Sequence, residues 1–133
     1  MADEALEKYL EEHHFEKNLK KLKTKLKNKT IVIYGAGQLF QIALEKYDFE
    51  GLNIIGISDK KFENHAENET AFGFKAYAPE ELRELNPDYI LVATLKCINV
   101  IENLYYDTLK GTKIKIQPLV RRSLFALIKE IWG

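Results

Sequence analysis

The sequence predicts an α/β protein with a small doubly wound parallel sheet of about five strands in the order 3-2-1-4-5 and an added N-terminal helix. Short runs rich in β-branched residues alternate with segments of helical periodicity. A glycine pair, Gly35 and Gly37, stands between the first such run and the first helical segment that follows it. Strands that alternate with helices form parallel sheets covered on both faces, and right-handed crossovers give the doubly wound order.

Composition limits the classes of function. The 133 residues fit one α/β domain, and 20 basic residues balance 20 acidic ones, which argues against a nucleic-acid partner. One cysteine, Cys97, excludes an internal disulfide and a multi-cysteine zinc site, and we expect it to be a buried, inert thiol. The acidic N-terminus does not resemble a secretory signal, and no apolar run approaches the ~20 residues of a membrane span. We therefore expect a cytoplasmic protein with no membrane span.

The N-terminal residues 1–28 are predicted to form a charged helix, with the helical pattern over 3–28, ahead of an α/β domain of residues 29–133. Its leucines fall mostly on one face, and Phe15 lies to the side. Acidic residues dominate its first half, whereas residues 17–29 hold seven lysines and no acid. The helix macrodipole favours this arrangement. The alternative is a basic arm that binds phosphate or an acidic partner.

The remaining elements follow from apolar runs and their breakers. Strands are expected at residues 31–34, 52–57, 74–77, 89–93 and 113–116; helices are expected after Gly37, from Pro79 to Asn86, over 97–110 and over 119–132. The polar residues 58–72 are expected to form a loop, and Pro118 is expected to end the last strand. The last helix is rich in apolar residues, which predicts either simple burial or a contact surface for a homo-oligomer or a partner protein.

The glycine turn is the strongest candidate for a binding site. Gly35 permits a tight turn, and Gly37 lets the backbone approach a phosphate. Gln38 and Leu39 then begin a helix whose free N–H groups and positive dipole end favour an anion. Phe40 stands where dinucleotide-binding turns carry a third glycine or alanine, and we expect its ring to hinder close packing of helix and strand. The alternative is a turn with only a structural role.

Two further segments are predicted to meet this turn at the carboxyl edge of the sheet. Asp59 ends the second strand, 24 residues after Gly35, where an acid can hold ribose hydroxyls. Lys60 and Lys61 follow, and they could contact a phosphate or simply be solvated. Asp59 could equally cap its own loop. Thr94 follows the fourth strand, where it could bind a ligand or cap the next helix.

These segments resemble the small Rossmann-like domains of bacterial polysaccharide and glycan biosynthesis. The resemblance covers about half of the chain and includes the N-terminal domains of sugar acetyltransferases and the nucleotide- or CoA-binding-like domains attached to sugar-nucleotide dehydratases. It rests on four stretches, namely residues 31–37, 55–59, 72–82 and 87–93. It implies that Gly35, Gly37 and Asp59 contact a nucleotide or sugar-nucleotide, with NAD(P), CoA or a nucleoside-diphosphate sugar as the ligand.

The sequence therefore favours a nucleotide or sugar-nucleotide binding module that acts with glycan-biosynthesis enzymes. An interaction domain that has lost its ligand comes second. A small enzyme comes third, either an NAD-linked oxidoreductase or an S-adenosylmethionine methyltransferase. An oxidoreductase needs a proton donor near the nicotinamide, and the sequence assigns that role to no residue of the glycine turn. A methyltransferase needs a larger region to cover its substrate than 133 residues leave.

Overall fold

The α/β class is confirmed by the computed structural model, which describes residues 2–121. Helices and strands alternate along this range. Their bounds are α1 (Ala2–Glu12), α2 (Phe15–Lys25), β1 (Thr30–Tyr34), α3 (Gln38–Lys46), β2 (Asn53–Ser58), β3 (Thr70–Ala71), β4 (Phe74–Tyr77), α4 (Leu82–Leu85), β5 (Tyr89–Val92), α5 (Cys97–Asn103) and β6 (Lys115–Pro118).

The sheet is mixed, and over residues 2–121 it has six strands in the order β3-β4-β2-β1-β5-β6. The expected five strands in the order 3-2-1-4-5 are therefore corrected. The extra strand, β3, pairs antiparallel with β4, whereas the other neighbours are parallel. No apolar run in the sequence predicts β3, because this strand has only two residues and forms by pairing with β4. The five longer strands follow one another as β4-β2-β1-β5-β6.

The side chains of β1 alternate between two buried clusters, as the period of two of a strand requires. Ile31 and Ile33 join the cluster that also contains side chains of α1, α2 and α3. Val32 and Tyr34 join the cluster on the other face, which contains side chains of α4 and α5. Both faces of the central strands are therefore covered, and β1 and β5 are buried along most of their length.

The N-terminal segment is two helices, not the single helix that the periodicity predicted. The chain breaks at His14, whose backbone is left-handed with φ 53° and ψ 46°. On a continuous helix Leu10 and Phe15 would point about 140° apart, since each residue turns the helix by ~100°. The break lets both enter the same core cluster, where Phe15 packs edge-on against Tyr47 with ring centroids 4.9 Å apart.

Three local expectations also need correction. Residues 58–72 are not only loop, because they contain a 3₁₀ turn (Lys60–Phe62) and β3. The helix expected over 97–110 is α-helical to Asn103 and continues as a π-helix (Leu104–Thr108). The last strand lies at Lys115–Pro118 instead of residues 113–116, and Pro118 ends it as expected. A proline is tolerated there because β6 forms the outer edge of the described sheet, where a strand needs fewer N–H donors.

The last predicted helix, over 119–132, lies mostly outside the described residues. Leu119 and Val120 are buried but not helical. None of the helices in the described range is long and apolar enough to cross a bilayer.

Candidate functional site

A cleft of about 470 Å³ lies where β1 and β5 end and their following segments begin. This volume falls within the range of small-molecule pockets. The cleft is lined by Ala5, Leu6, Gly35, Gly37, Gln38, Leu39, Asp59, Ala93, Thr94 and Leu95. Six of the seven residues predicted as site residues therefore meet in one place. The seventh, Lys60, is exposed and does not line the cleft.

Gly35 forms the tight turn that the sequence predicted. Its φ of +115° is rarely adopted by residues with a side chain, and its amide donates to the carbonyl of Ser58 at 2.8 Å. A Cβ at this position would lie 2.9 Å from Cγ2 of Thr94 and 3.0 Å from the carbonyl oxygen of Ala93. The glycine thus lets the turn after β1 lie directly against the turn after β5.

Gly37 differs from Gly35 in its backbone conformation and in the space available for a side chain. Its backbone is extended, with φ −112° and ψ −163°, so a side chain would cause no strain. Apart from its neighbours in the chain, no atom of residues 2–121 lies within 4 Å of a Cβ built there. The fold of the described residues therefore gives no reason for a glycine at this position, and its bare backbone leaves open space within the cleft.

The peptide of Ala36 is held from both sides. Oδ2 of Asp59 accepts the N–H of Ala36 at 2.8 Å, and Oδ1 of Asp59 accepts the N–H of Lys61 at 3.1 Å. The ammonium of Lys61 donates to the carbonyl of Ala36. Asp59 thus caps the 3₁₀ turn, as one of the two interpretations of the sequence predicted. Lys61, and not Lys60, contacts the glycine turn, because the 3₁₀ turn directs the second lysine toward Ala36.

The start of α3 provides hydrogen-bond donors at the wall of the cleft. Gly37 is the N-cap residue and supplies no side-chain acceptor. The first N–H groups of a helix have no intrahelical partner, and they carry the positive end of the helix dipole.

Phe40, expected to hinder packing, is fully buried and lies edge-on to Phe49 and Phe72 at centroid distances of 5.8 and 5.9 Å. An aromatic cluster thus accommodates the ring beneath α3.

Thr94 brings an unsatisfied polar atom to the cleft. Its Oγ1 is buried and has no hydrogen-bond partner among residues 2–121. The prediction that Thr94 caps the next helix is wrong, because α5 has Lys96 as its N-cap residue and no side-chain cap. A buried hydroxyl without a partner costs about 1–3 kcal/mol, and such an atom is often satisfied by a ligand or water.

Tyr34, at the end of β1, has a phenol that resists ionisation. Burial raises the pKa of Tyr34 to about 12, and the negative charges of Asp59, Glu63 and Glu80 act in the same direction. Its phenol is therefore protonated throughout the physiological pH range.

The first helix contributes to the cleft in a way that sequence reasoning missed. Ala5 and Leu6 of α1 line the cleft although they belong to no binding motif. Leu6 is one of the leucines that fall on one face of the N-terminal segment, but such a stripe does not reveal which edge of the sheet it reaches. The apolar lining of the cleft, formed by Leu6, Leu39 and Leu95 among others, suits a ring or an aliphatic group more than a charge.

Two other features of the molecule give weaker candidates. A cavity of about 510 Å³ lies between α2 and the end of β6, and Lys21, Lys25 and Arg121 line it. It contains none of the residues predicted as site residues. Within the part of the chain that the structure describes, no group of three or more His, Cys, Asp or Glu side chains could hold a metal ion. Cys97 is buried, as expected.

Comparison of the chain with protein-family models, with curated proteins and with solved structures gives no match. The function must therefore be argued from the cleft itself.

Proposed function

We propose that the cleft binds a nucleotide-type small molecule. The buried hydroxyl of Thr94 carries this proposal, because it lacks a partner in the described chain and belongs to a cleft whose other wall is the uncapped start of α3. Ligands of open α/β sheets bind at this edge, beyond the carboxyl ends of the strands. The open space at Gly37 supports the same proposal.

The chemistry of the walls suggests how such a ligand would lie. A phosphate would accept hydrogen bonds from the first N–H groups of α3, near Gly37, Gln38 and Leu39. A base or sugar ring would lie against the leucines, with one hydrogen bond to Thr94. The candidates are NAD(P), CoA and a nucleoside-diphosphate sugar. The sequence resemblance favours the sugar-nucleotide, in a Rossmann-like module that works beside enzymes of glycan biosynthesis.

Asp59 has a double role in this proposal. Both of its carboxylate oxygens already accept a backbone N–H, so its first role is to shape the glycine turn. Each carboxylate oxygen has a second acceptor position. A ribose hydroxyl could therefore still donate to Asp59 without displacing Ala36.

The test is thermal unfolding with a panel of NAD, NADP, CoA, S-adenosylmethionine and UDP-, GDP- and CDP-sugars. A ligand at about 100 times its Kd adds about 2.7 kcal/mol, which shifts the Tm of a domain of this size by several degrees. Gly37→Phe should abolish the shift, because the ring fills the cleft without straining the backbone. Gln41→Phe places the same ring on an exposed position of the same helix and should keep the shift. A flat response of the unaltered protein to the whole panel would refute the proposal.

An interaction module is the second candidate, and two observations favour it. Asp59, Lys61 and Ser58 satisfy the glycine turn without any ligand. Leu95, Tyr105 and Tyr106 are exposed large apolar side chains on the segment after β5, with Tyr106 67% exposed. Under this alternative, Gly37→Phe would leave all binding properties unchanged, whereas Tyr105→Ser with Tyr106→Ser would abolish association with the partner.

A further inference from the structure

The connection between β2 and β4 contains a histidine whose two ring nitrogens both face oxygen acceptors. Nδ1 of His65 lies 2.7 Å from the carbonyl oxygen of Ala66, and Nε2 contacts Oε1 of Glu81. A neutral imidazole has only one N–H, so it can satisfy only one of these contacts. Both contacts are satisfied at once only when His65 is a doubly protonated imidazolium.

The partners of His65 are themselves fixed in place. Oε1 of Glu81 also accepts the N–H of Ala78 at 2.8 Å, at the start of the 3₁₀ turn Pro79–Glu81. On the other side, Oε1 of Glu69 accepts the N–H of Ala66 at 3.0 Å. Protonated His65 therefore joins the connection after β2 to the turn that follows β4, two segments 16 residues apart in the chain.

The charged groups around His65 and Glu81 favour the protonated imidazole and the ionised carboxylate. Glu81 faces His65 from the turn after β4, and Glu69 faces it from its own connection. Lys75, on β4, faces Glu81. The hydrogen bond to Ala66 is the largest cause that raises the pKa of His65 above its ordinary 6.5, followed by that to Glu81, while burial opposes them. The pKa of Glu81 is lowered from its ordinary 4.5, first by the N–H of Ala78 and then by His65.

We propose that His65 and Glu81 form a proton-operated clasp that holds the connection over residues 63–69 against the rest of the domain and releases it when the imidazolium of His65 loses its proton. This proposal is independent of nucleotide binding. Asp59 and Lys61 precede the buried Phe62, which anchors the chain on the cleft side of the clasp. Release would instead free residues 63–69 and loosen the entry to β3, where the carbonyl of Glu69 accepts the N–H of Ala76 at 2.9 Å.

The sign of the pH dependence follows from linkage. A histidine whose pKa is raised by folding contributes stability that is fully present below its unfolded pKa. That contribution is lost as the pH rises through its folded pKa. Glu81 has the opposite sign, so its contribution is lost only as the pH falls through its lowered pKa. The clasp is therefore closed in the window between these two transitions.

The first test is an NMR titration of the His65 ring in the intact protein and in two variants. In the unaltered protein we expect a pKa above 6.5. Glu81→Gln should lower it, because the carboxylate is lost while the side-chain oxygen can still accept the N–H of Ala78. Glu80→Gln removes the same charge one residue away, at an exposed position, and should change the pKa of His65 less. An unshifted pKa in the unaltered protein, or equal effects of the two variants, would overturn the proposal.

The second test is hydrogen exchange of the Ala66 and Ala76 amides across the same pH range. Their exchange should accelerate above the pKa of His65 by more than the intrinsic chemical rate. His65→Gln keeps a polar side chain that cannot titrate, so its exchange should follow the intrinsic rate with no additional step. The same additional step in His65→Gln would show that the clasp does not control the connection, and would overturn the proposal even with a raised pKa.

Discussion

The turns after β1 and β5 lie against each other, yet their polar groups are treated differently. In the turn after β1, Gly35 donates to Ser58, Ala36 donates to Asp59, and Lys61 donates to Ala36. In the turn after β5, the amide of Ala93 donates to the carbonyl of Tyr34 at 2.8 Å. The hydroxyl of Thr94 has no partner in the described chain, and no side chain caps α5.

This difference distinguishes the hydrogen bonds that shape the cleft from the polar atoms that are left to contact a ligand. The turn after β1 contains the glycine motif, and the N–H groups of Gly35 and Ala36 are bound within the protein, so the turn keeps its shape without a ligand. The turn after β5 has no recognisable motif, yet it holds Oγ1 of Thr94. This atom is one of two buried side-chain oxygens without a partner in the described chain, the other being Oγ of Ser58 at the end of β2. Motif reasoning identifies the residues that shape the cleft, whereas the inventory of hydrogen bonds adds Oγ1 of Thr94, which no motif indicates.

The largest predicted effect comes from Gly35→Ala. The new Cβ would meet the backbone of Ala93 and the side chain of Thr94 in a positive-φ conformation. We expect a loss of about 2–4 kcal/mol in the free energy of unfolding. Urea unfolding measures it, with Gly37→Ala as the matched control, which should cost less than about 1 kcal/mol. Equal losses in the two variants would contradict the distinction between a structural glycine and an open one.

A smaller loss is predicted for Asp59→Asn. The amide keeps one acceptor oxygen for two N–H donors, so either Ala36 or Lys61 loses its charge-assisted bond. The expected cost is about 1–3 kcal/mol in the same assay. Lys60→Ala, at the exposed neighbour, should change stability by less than about 0.5 kcal/mol. If Asp59→Asn were equally silent, the turn after β1 would not depend on its carboxylate.

At the amino edge of the sheet, β1 and β5 are tied by Asp88. Its Oδ2 accepts the N–H of Thr30 at 2.8 Å and the hydroxyl of Thr30 at 3.1 Å. The backbone bond, then the side-chain bond, lowers the pKa of Asp88 from its ordinary 3.8. Its stabilisation is therefore present above pH 3.8 and is lost as the pH falls through the lowered pKa. Asp88→Asn should flatten the acid limb of a stability profile, whereas Glu84→Gln, at an exposed position, should not.

The sequence allowed the central part of the fold to be predicted, because local patterns determine it. The runs at β1 and β5 are apolar on both faces, as buried parallel strands are. The break at His14 could not be predicted, since it depends on Phe15 reaching Tyr47 and Phe49 from elsewhere in the chain. The strand β3 likewise exists only through its pairing with β4.

The residues of the candidate site, like the elements of the fold, could be predicted from the sequence only in part. Gly35, Gly37 and Asp59 carry recognisable signals in spacing and residue type, and they meet where the topology places them. Lys61, and not Lys60, contacts the glycine turn because of one turn of 3₁₀ helix, which residue patterns do not predict. Ala5 and Leu6 enter the cleft only because α1 packs beside α3. The unsatisfied state of Thr94 is a property of three-dimensional packing alone.

The most direct test of this account is the stability of Thr94→Val, measured without ligand and with the ligand that the panel identifies. Without ligand we expect no loss, and a gain of up to about 1 kcal/mol, because a buried hydroxyl without a partner is removed. With ligand, the affinity should fall by about three- to tenfold, the value of one hydrogen bond. Thr112→Val is the matched control, since Thr112 donates to the carbonyl of Leu109 at 2.7 Å, and it should lose about 1 kcal/mol. A Thr94→Val variant that is as destabilised as Thr112→Val, or that binds the ligand unchanged, would contradict the role assigned to Thr94.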